Sequence, residues 1–323
     1  MKKVVLAGGS GFLGQALARS LLSDGCEVVI FSRGPSTERA LGRFVPWDGQ
    51  GLGEWKAELE GADALLNLTG RSVDCRYSKE NRKLILNSRV DSTKVLGEAI
   101  RGCTDGPKVW LNSSTATLYK DRRGDLAPHD EGSQDFGSGF SVEVAQAWEK
   151  ALGEPVIEGV RKVALRISIV LGKDGGAFPV MRRFAKLGLG GAQGPGSQWM
   201  SWLHIDDWVG VTRFLMEKDD LSGAVNLAAP EPVTNSVFMK GMRKCFAPLG
   251  IGLPAPSLAV HLGAVFLRTA PELVLKSRKV VSSVLEENGY RFKYPTLASA
   301  LEDLSELVQF FFFEPSLSRV RLE

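Results

Sequence analysis

The sequence predicts an α/β protein with a doubly wound parallel sheet, followed by a smaller, mostly helical C-terminal lobe. Near the N-terminus, apolar strands at residues 4–7 and 27–32 flank a segment, residues 11–23, that has helical periodicity. The same alternation of strand and helix continues to about residue 170. Strands that alternate with helices favour a parallel sheet, because each crossover helix packs back onto the sheet.

The remaining elements of the sheet follow from the same periodicity. The predicted strands lie at residues 64–68, 108–112, 163–170, 202–205 and 224–227, and the predicted helices at 80–101 and 142–152. Glycine-rich loops follow residue 171, and the chain beyond about residue 254 is predicted to be mostly helical. We therefore expect a nucleotide-binding domain of residues 1–170, with sheet contributions from about 200–230, and a smaller lobe of residues 171–323.

Composition excludes several classes of function. The 40 Lys and Arg residues against 37 Asp and Glu give a net charge of +3, so no general attraction to nucleic acid is expected. The four cysteines are far apart and lack metal-ligand spacing, which favours reduced thiols, a cytoplasmic location and no metal. No export signal and no transmembrane segment is predicted, and the short run Phe310–Phe313 is interpreted as core or interface.

The turn between the first strand and the first helix carries two overlapping glycine patterns, G-x-G-x-x-G and G-x-x-G-x-x-G. Such glycines permit a tight turn and let the backbone approach a pyrophosphate at the helix N-terminus. Because the turn has the required strand before it and helix after it, it predicts a Rossmann-type dinucleotide site. The residues expected to contact the dinucleotide here are Gly8, Gly9, Ser10, Gly11, Phe12, Leu13 and Gly14.

The end of the second strand predicts which dinucleotide binds. An NAD site places an Asp or Glu there, about 20 residues after the glycines, to bind the ribose 2′-hydroxyl. This chain has Ser32 and Arg33 instead, which can bind a 2′-phosphate, so NADP(H) is predicted. The alternative is that Arg33 is simply a solvated arginine. The next strand ends in residues 67–70, a polar turn that is expected to face the cofactor.

These segments, together with residues 113–119, resemble the extended short-chain dehydrogenase/reductase family. Further segments are similar to one atypical branch, the epimerase family proteins, described as nucleoside-diphosphate-sugar epimerases with a small C-terminal domain of unknown function. These segments are residues 88–93, Trp148 and Glu149, 166–172, 188–191, Gln198, 202–207, 289–295, and Ala300 with Leu301. The resemblance covers roughly residues 3 to 304.

The resemblance implies NADP(H) contacts beyond the glycine turn. The residues carried over from the branch are Ser32, Arg33, Leu68, Thr69, Arg89 and Val170. Arg89 is predicted on the long helix, where a cation could reach a phosphate or ribose. The alternative is that Arg89 pairs with Asp91 or Glu98 on a solvated helix face.

The family's acid–base chemistry implies a Tyr and a Lys four residues later, with a Ser or Thr that holds the substrate oxygen. Thr115 occupies the Ser/Thr position. When the family pattern is aligned with this sequence at Glu149, Ser141 falls at the Tyr position and Ala145 at the Lys position. Serine is a much weaker acid than a phenol. The remaining catalytic candidates are Ser114 and Tyr119, and Tyr119 is alternatively interpreted as packing.

Several polar and aromatic residues in the second half of the chain each have two alternative roles. His204 precedes a predicted helix that Asp206 or Asp207 is expected to cap, and it is either pH-active or holds the glycine-rich loop. The other two histidines, His129 and His261, have unpromising contexts. A substrate pocket or core packing explains Gln198, Trp199 and Trp202 equally well.

Three functions remain open. The first is an NADP(H)-dependent oxidoreductase or epimerase that acts on a small polar molecule, with Thr115 orienting the substrate. The second is a non-catalytic NADP(H) sensor or interaction protein, and the third is a reductase whose proton comes from water. The substrate and the oligomeric state, for which a homodimer is one option, do not follow from the sequence.

Overall fold

The computed structural model describes residues 1–34, 41–260 and 272–306. The strands are β1 (Lys3–Ala7), β2 (Glu27–Ser32), β3 (Arg43–Pro46), β4 (Ala64–Asn67), β5 (Val109–Thr115), β6 (Arg161–Ile167), β7 (Ile169–Leu171), β8 (Trp199–Met200), β9 (Trp202–His204), β10 (Gly223–Leu227) and β11 (Val233–Thr234). Within the described residues, no helix is long and apolar enough to span a bilayer.

The helices lie between and after these strands. They are α1 (Phe12–Ser23), α2 (Lys79–Arg101), α3 (Phe140–Gly153), α4 (Phe178–Lys186), α5 (Ile205–Glu217), α6 (Asn235–Phe246), α7 (Glu272–Leu275), α8 (Ser283–Glu287) and α9 (Leu297–Glu306). Two short 3₁₀ helices, Glu54–Leu59 and Ala116–Leu118, also lie within the described residues.

A seven-stranded sheet with the order β10-β6-β5-β4-β1-β2-β3 forms the centre of the molecule. All six neighbouring pairs are parallel; for example, Val4 of β1 lies opposite Val28 of β2 on one side and Ala64 of β4 on the other. The predicted doubly wound parallel sheet is confirmed. Because the strands are parallel, the residues that end β1, β2, β4 and β5 meet at one edge of the sheet. The order in which successive strands are added to the sheet reverses between β1 and β4.

Helices cover both faces of the sheet, as its fully buried strands require. On one face, Leu17 of α1 and Trp208 of α5 pack in a core cluster with β1 and β4 side chains. On the other face, Leu96 of α2 packs with Trp110 of β5. A separate cluster, which includes Phe238 of α6 and other side chains from α4 and α9, forms the core of the smaller helical lobe.

The strand expected at residues 163–170 is in fact two strands in different sheets. The backbone N–H and the hydroxyl of Ser168 both donate to the carbonyl of Leu227, at 3.1 and 2.6 Å, so the chain leaves the sheet at the end of β10. Beyond this break β7 pairs with β9. The sequence analysis also missed β3, an edge strand that contains Arg43 and Pro46 and has no apolar run.

A segment of the second half of the chain, residues 277–283, is bonded to two other parts of the fold. Its backbone bonds to the loop after β5, through His129 N–H to Lys279 O (2.8 Å) and Val281 N–H to His129 O (2.9 Å). It also bonds to β8, through Arg278 N–H to Trp199 O (2.8 Å). The predictions for Phe310–Phe313 and His261 concern positions that lie outside the described residues.

Candidate cofactor and active site

The glycine turn is packed so tightly that side chains are excluded at three positions. Gly8 has a φ of +72°, and a Cβ there would lie 2.9 Å from the backbone of Thr69. A Cβ on Gly9 would lie 2.6 Å from Cβ of Leu6, and one on Gly14 would lie 2.3 Å from the carbonyl oxygen of Gly9. These glycines bring β1, the turn and α1 into contact.

Gly11 differs from the other three glycines because open space surrounds it. No atom lies within 4 Å of a Cβ built there, although Gly11 is the N-cap of α1. No side chain caps this helix, and its first turn contains no acidic residue. The N–H groups at the start of α1 therefore remain available to an anion such as a pyrophosphate.

Phe12 and Leu13 pack inward from the first turn of α1. The Phe12 ring fills the space beside Gly172 and Gly175, where an added Cβ would lie 2.5 and 2.6 Å from it. Leu13 belongs to the core cluster that contains Val170, whose strand β7 pairs with β9. The structure thus places these three predicted contact residues behind the glycine turn, where they position its backbone.

The end of β2 presents polar groups to the glycine turn. The Ser32 hydroxyl lies 3.4 Å from that of Ser10, and the next residue, Arg33, is exposed. No carboxylate occurs between Phe31 and Gly34. The Ser32 hydroxyl therefore lies beside the turn, and the exposed Arg33 follows it at the end of β2, where dinucleotide sites bind the adenosine ribose.

The end of β4 holds a second polar group beside the turn. The buried Asn67 side chain donates to Asn112 Oδ1 at 2.8 Å and accepts from the backbone N–H of Thr69 at 3.0 Å. The Thr69 hydroxyl is itself buried and has no partner among the described residues, and Leu68 packs beside it on the core. An unpartnered hydroxyl opposite Gly8 and an open helix N-terminus both fit a bound dinucleotide.

The guanidinium of Arg89 lies against the Gly70 turn, with its Cζ 2.9 Å from a Cβ built on Gly70. It donates to the carbonyls of Arg71 and Ile85, both at 3.0 Å, and stacks over the ring of Trp148 at 5.0 Å. Burial lowers its pKa to about 10. Among the described residues it forms no ion pair, so the alternative pairing with Asp91 or Glu98 is wrong.

The end of β5 carries the predicted catalytic hydroxyls. Ser114 donates to Glu149 Oε1 at 2.5 Å, and that carboxylate also binds the guanidinium of Arg166 through two contacts of 2.9 Å. The Thr115 hydroxyl instead lies 3.1 Å from that of Thr117. Ser114 is therefore engaged in a buried ion-pair network, whereas Thr115 faces a different set of groups.

Tyr119 belongs to the same buried network as Ser114. Its hydroxyl donates to Asn226 Oδ1 at 2.9 Å and accepts from Arg166 at 2.8 Å, and its ring stacks on His129 with centroids 4.9 Å apart. Burial raises the pKa of this phenol. Only 2% of the Tyr119 surface is exposed, and its hydroxyl both donates and accepts a hydrogen bond within the protein. Tyr119 therefore fits the packing interpretation.

A polar cluster that the sequence analysis missed lies beside Thr115 and Thr117. Arg278 Nε donates to the Thr117 hydroxyl at 3.0 Å, and Lys276 Nζ donates to the Thr117 carbonyl at 3.1 Å. The Ser141 hydroxyl donates to the Glu272 carboxylate. The phenol of Tyr77 belongs to the same region: burial raises its pKa, and the Ser141 hydroxyl nearby partly opposes that shift. We name these residues, Tyr77, Thr117, Ser141, Glu272, Lys276 and Arg278, the Tyr77 cluster.

Comparison with known proteins identifies the family of this chain. Residues 4–228 match the model of the NAD dependent epimerase/dehydratase family, and residues 255–304 match a domain of unknown function. The chain belongs to the NAD dependent epimerase/dehydratase family. The predicted family resemblance, including its C-terminal domain of unknown function, is confirmed.

Several members of the epimerase/dehydratase family resemble the chain over nearly its whole length. The human epimerase family protein SDR39U1 is 31% identical over 310 residues, which cover 94% of this chain and 99% of that protein. The epimerase family protein YfhF of Bacillus subtilis (strain 168) is 30% identical, covering 93% and 97%. A crystal structure of human SDR39U1 (isoform 2) with NADPH superposes with a TM-score of 0.82 at 31% identity, covering 94% of this chain and 99% of that one.

The two positions that the family pattern assigns to Tyr and Lys lie on α3. Ser141 is in its first turn and bonds to Glu272, as described above, whereas Ala145 is fully buried in a small apolar cluster with Leu118 and Val142. An apolar contact at position 145 leaves no room for an ammonium group there. Any cation that assists chemistry at this site must come from another element.

His204 caps α5, so the expectation that Asp206 or Asp207 caps this helix is wrong. The Nδ1 atom of His204 accepts the backbone N–H of Asp206 at 3.1 Å, while Asp207 accepts the N–H groups of Lys293 (2.7 Å) and Tyr294 (2.9 Å). Burial lowers the pKa of His204. Asp207 thus attaches α5 to the segment before α9, and the His204 ring contacts Tyr294 of that segment with centroids 3.9 Å apart. No hydrogen bond of His204 to the glycine-rich loop occurs among the described residues.

The remaining candidates for a substrate pocket are mostly packed. Trp202 is fully buried in the core of the smaller lobe, and the amide of Gln198, also fully buried, donates to the carbonyl of Gln193. Trp199 lies under the Lys279 ammonium at 4.0 Å. A cleft of about 1010 Å³ between α1 and α5 includes Ser10 and Gly11 but no residue of β4 or β5, so it is separate from Thr115 and Thr69.

Proposed function

We propose that this protein is a cytoplasmic NADP(H)-dependent oxidoreductase or epimerase that acts on a small polar molecule. The observation that carries the proposal is that the end of β2 has Ser32, beside the glycine turn, followed by the exposed Arg33, at the position where NAD sites have a carboxylate. The NADPH bound to the human relative supports the same cofactor. Four free cysteines support the location. A homodimer remains a prediction.

The cofactor's parts are matched by separate groups of the chain. The N–H groups of residues 10–14, at the N-terminus of α1, would hold the pyrophosphate, and Thr69 would donate its unpartnered hydroxyl nearby. Ser32 and Arg33 would hold the 2′-phosphate, and Arg89 would face the dinucleotide across Gly70. Leu68 and Val170 would contribute apolar contacts or backbone groups. Bound in this way, the nicotinamide would accept or donate a hydride.

The substrate is expected beside Thr115. Its hydroxyl, which is only half-buried and donates to Thr117 at 3.1 Å, is the predicted hydrogen-bond donor to the substrate oxygen, because the buried Ser114 and Tyr119 are held by Glu149, Asn226 and Arg166. The partner of Thr115, Thr117, is held in turn by Arg278. Thr115 would therefore orient a substrate while its own position is fixed by a neighbouring residue.

Replacement of Arg33 by Ala tests the 2′-phosphate assignment. We expect the Kd for NADPH to rise about 10- to 100-fold, because a charge-assisted hydrogen bond contributes about 1.5–3 kcal/mol. The Kd for NADH, which lacks the 2′-phosphate, should remain unchanged. The measurement is calorimetric titration of the cofactor-free protein with both dinucleotides.

The matched control is Arg101→Ala, which removes an exposed arginine from the last turn of α2. This variant should bind NADPH as the unmodified chain does. Equal losses of NADPH and NADH affinity in Arg33→Ala would contradict the assignment, and a chain that binds neither dinucleotide would refute the proposed function.

One observation favours the second function, a non-catalytic sensor of NADP(H). Neither Ser141 nor Ala145 supplies the phenol or ammonium that the family's chemistry uses. The sensor hypothesis predicts that the protein binds NADPH tightly but does not oxidise it. Absorbance at 340 nm should stay constant when small polar aldehydes, ketones and nucleotide sugars are added one by one. Reproducible oxidation that depends on one of these compounds would exclude it.

A further inference from the structure

Five aliphatic side chains of the smaller lobe are exposed close together in the chain segments that follow α4 and α6. Between 47% and 82% of the surface of each is accessible to solvent. We name them the aliphatic surface: Leu187, Leu189, Leu249, Ile251 and Leu253. A single exposed aliphatic residue is common in soluble proteins, but a contiguous group of them indicates a surface that another molecule covers.

Hydrogen bonds hold the two loops of the aliphatic surface side by side. The backbone N–H of Leu253 donates to the carbonyl of Gly188 at 2.8 Å, and its carbonyl accepts from Gly191 at 3.1 Å. The Arg243 guanidinium attaches the end of α6 to the same place, through a bond of 2.9 Å to the carbonyl of Gly190. The five aliphatic residues therefore belong to one small region of the lobe.

Four cations accompany the aliphatic surface. The last turn of α4 carries Arg183 and Lys186, and the last turn of α6 carries Arg243 and Lys244. Lys186 and residues 245–248 line a shared cleft of about 310 Å³, so the two helix ends meet. None of the four cations forms an ion pair with a described residue. Cations favour helix C-termini, but that preference does not explain the exposed aliphatic side chains beside them.

The chain that builds this region contains no carboxylate. Residues 175–205 and 232–260 contain six Lys or Arg residues and no Asp or Glu, whereas the whole chain has nearly equal numbers, 40 and 37. On the α9 side of α6, burial and, to a smaller extent, the Glu302 carboxylate raise the pKa of the Cys245 thiol, so one negative charge lies there. The region's own residues give it a positive charge, which attracts an anionic partner.

We propose that the aliphatic surface and its four cations bind the anionic surface of a phospholipid bilayer. The aliphatic side chains would enter the boundary between headgroups and acyl chains, and the ammonium and guanidinium groups would lie at the level of the lipid phosphates. The strength of such binding is set by the apolar area that is buried together with the attraction to anionic lipids, and this region supplies both.

The composition of the region favours a bilayer over a protein as the partner. The cores of protein interfaces are enriched in aromatic residues, Met and Arg and depleted in Lys, and leucine is under-represented among the residues that contribute most to binding. The aliphatic surface consists of four leucines and one isoleucine, and two of its four cations are lysines. Leucine and isoleucine are among the residues that enter a bilayer most favourably.

Co-sedimentation of the full-length protein with lipid vesicles tests the inference. We expect binding to vesicles of phosphatidylglycerol and phosphatidylcholine in equal parts, weaker binding at higher salt, and no binding to phosphatidylcholine alone. Leu249→Gln/Ile251→Gln should lower the affinity for the mixed vesicles about 10-fold or more, because two apolar side chains no longer enter the bilayer. Lys186→Gln/Lys244→Gln should lower it by a similar factor. All four side chains are exposed, so the variants should fold normally, which circular dichroism verifies.

Matched controls replace side chains of the same kinds elsewhere on the protein. Leu126→Gln/Val156→Gln removes two aliphatic side chains that are 56% and 84% exposed. Arg101→Gln/Lys150→Gln removes two exposed cations from α2 and α3. Both double variants should bind the mixed vesicles as the unmodified chain does.

Unchanged vesicle binding in Leu249→Gln/Ile251→Gln would overturn the inference, because it would show adsorption by charge alone. No binding to the mixed vesicles would also overturn it. A chain that ends at Glu306 keeps the aliphatic surface but lacks Phe310–Phe313, and loss of binding in that variant would assign the membrane contact to those phenylalanines instead.

Sedimentation velocity examines a second copy of the chain as the occupant. A dimer that dissociates in Leu249→Gln/Ile251→Gln, together with an absence of vesicle binding, would overturn the inference and assign the surface to an interface between two copies. The aliphatic surface shares no residue with the predicted cofactor site, so every variant should keep the NADPH affinity of the unmodified chain. Failure of this inference is therefore distinguishable from failure of the proposed function.

Discussion

Replacement of Arg166 by Met is expected to lower the free energy of unfolding by about 3–5 kcal/mol. The Arg166 side chain is 7% exposed and its Glu149 partner 20% exposed, and the two share a pair of hydrogen bonds of 2.9 Å. Ser114 and Tyr119 satisfy the remaining groups of the pair. Removing the guanidinium would leave the Glu149 carboxylate largely buried beside a single hydroxyl. Guanidinium chloride unfolding, followed by circular dichroism, measures the loss.

The double variant Arg166→Met/Glu149→Leu should recover most of that loss, because both buried charges are then absent. Lys150→Met is the matched control, on the same helix as Glu149. It removes an exposed cation 3.9 Å from Glu154 and should lower the free energy of unfolding by less than about 0.5 kcal/mol. A loss below about 1 kcal/mol in Arg166→Met would show that the ion pair does not stabilise the end of β5.

The substitution Gly14→Ala should destabilise the protein by about 1–3 kcal/mol and weaken NADPH binding at least about 100-fold. The new Cβ would lie 2.3 Å from the carbonyl oxygen of Gly9 and 2.5 Å from its Cα. Both neighbours are backbone atoms, so α1 must move away from the turn and its N-terminal N–H groups move with it. Thermal unfolding and calorimetric titration of the same preparation measure the two effects.

Variants of two other glycines distinguish the effect on stability from the effect on NADPH binding. Gly11→Ala meets no atom within 4 Å and should leave stability nearly unchanged, but the methyl group would stand at the open N-terminus of α1 and weaken NADPH binding. Gly153→Ala, at the last residue of α3, also meets open space and should change neither property adversely. Unchanged NADPH affinity in Gly14→Ala would refute the location of the pyrophosphate.

Local sequence patterns were sufficient to predict most strands of the sheet and its glycine turn. Residues 4–14 contain a strand, a turn and the start of a helix within a single short window, and the glycine spacing there reflects backbone contacts between close neighbours. The break at Ser168 was not predictable in this way. Residues 163–170 are uniformly apolar apart from Arg166 and Ser168, and the bond that ends β6 comes from Leu227, some distance along the chain.

The Tyr77 cluster was not predictable, because its members come from four distant segments. Tyr77 precedes α2, Ser141 lies on α3, and Arg278 belongs to the C-terminal segment, so no spacing in the sequence relates them. The cap of α5 shows a different limit. Asp207 is a better capping residue than histidine by general preference, but two backbone N–H groups from residues 293 and 294 already occupy its carboxylate.

The position of β10 in the sheet has a consequence for synthesis of the chain. β10 pairs with β6, and the elements between them in the sequence are β7, α4, β8, β9 and α5. While the ribosome adds those residues, the first six strands can already pair, and β6 remains an unpaired edge of apolar residues such as Val163 and Leu165. Exposed edges of this kind recruit other chains. The nascent protein is therefore most prone to aggregate, and most dependent on chaperones, between the emergence of β6 and that of β10.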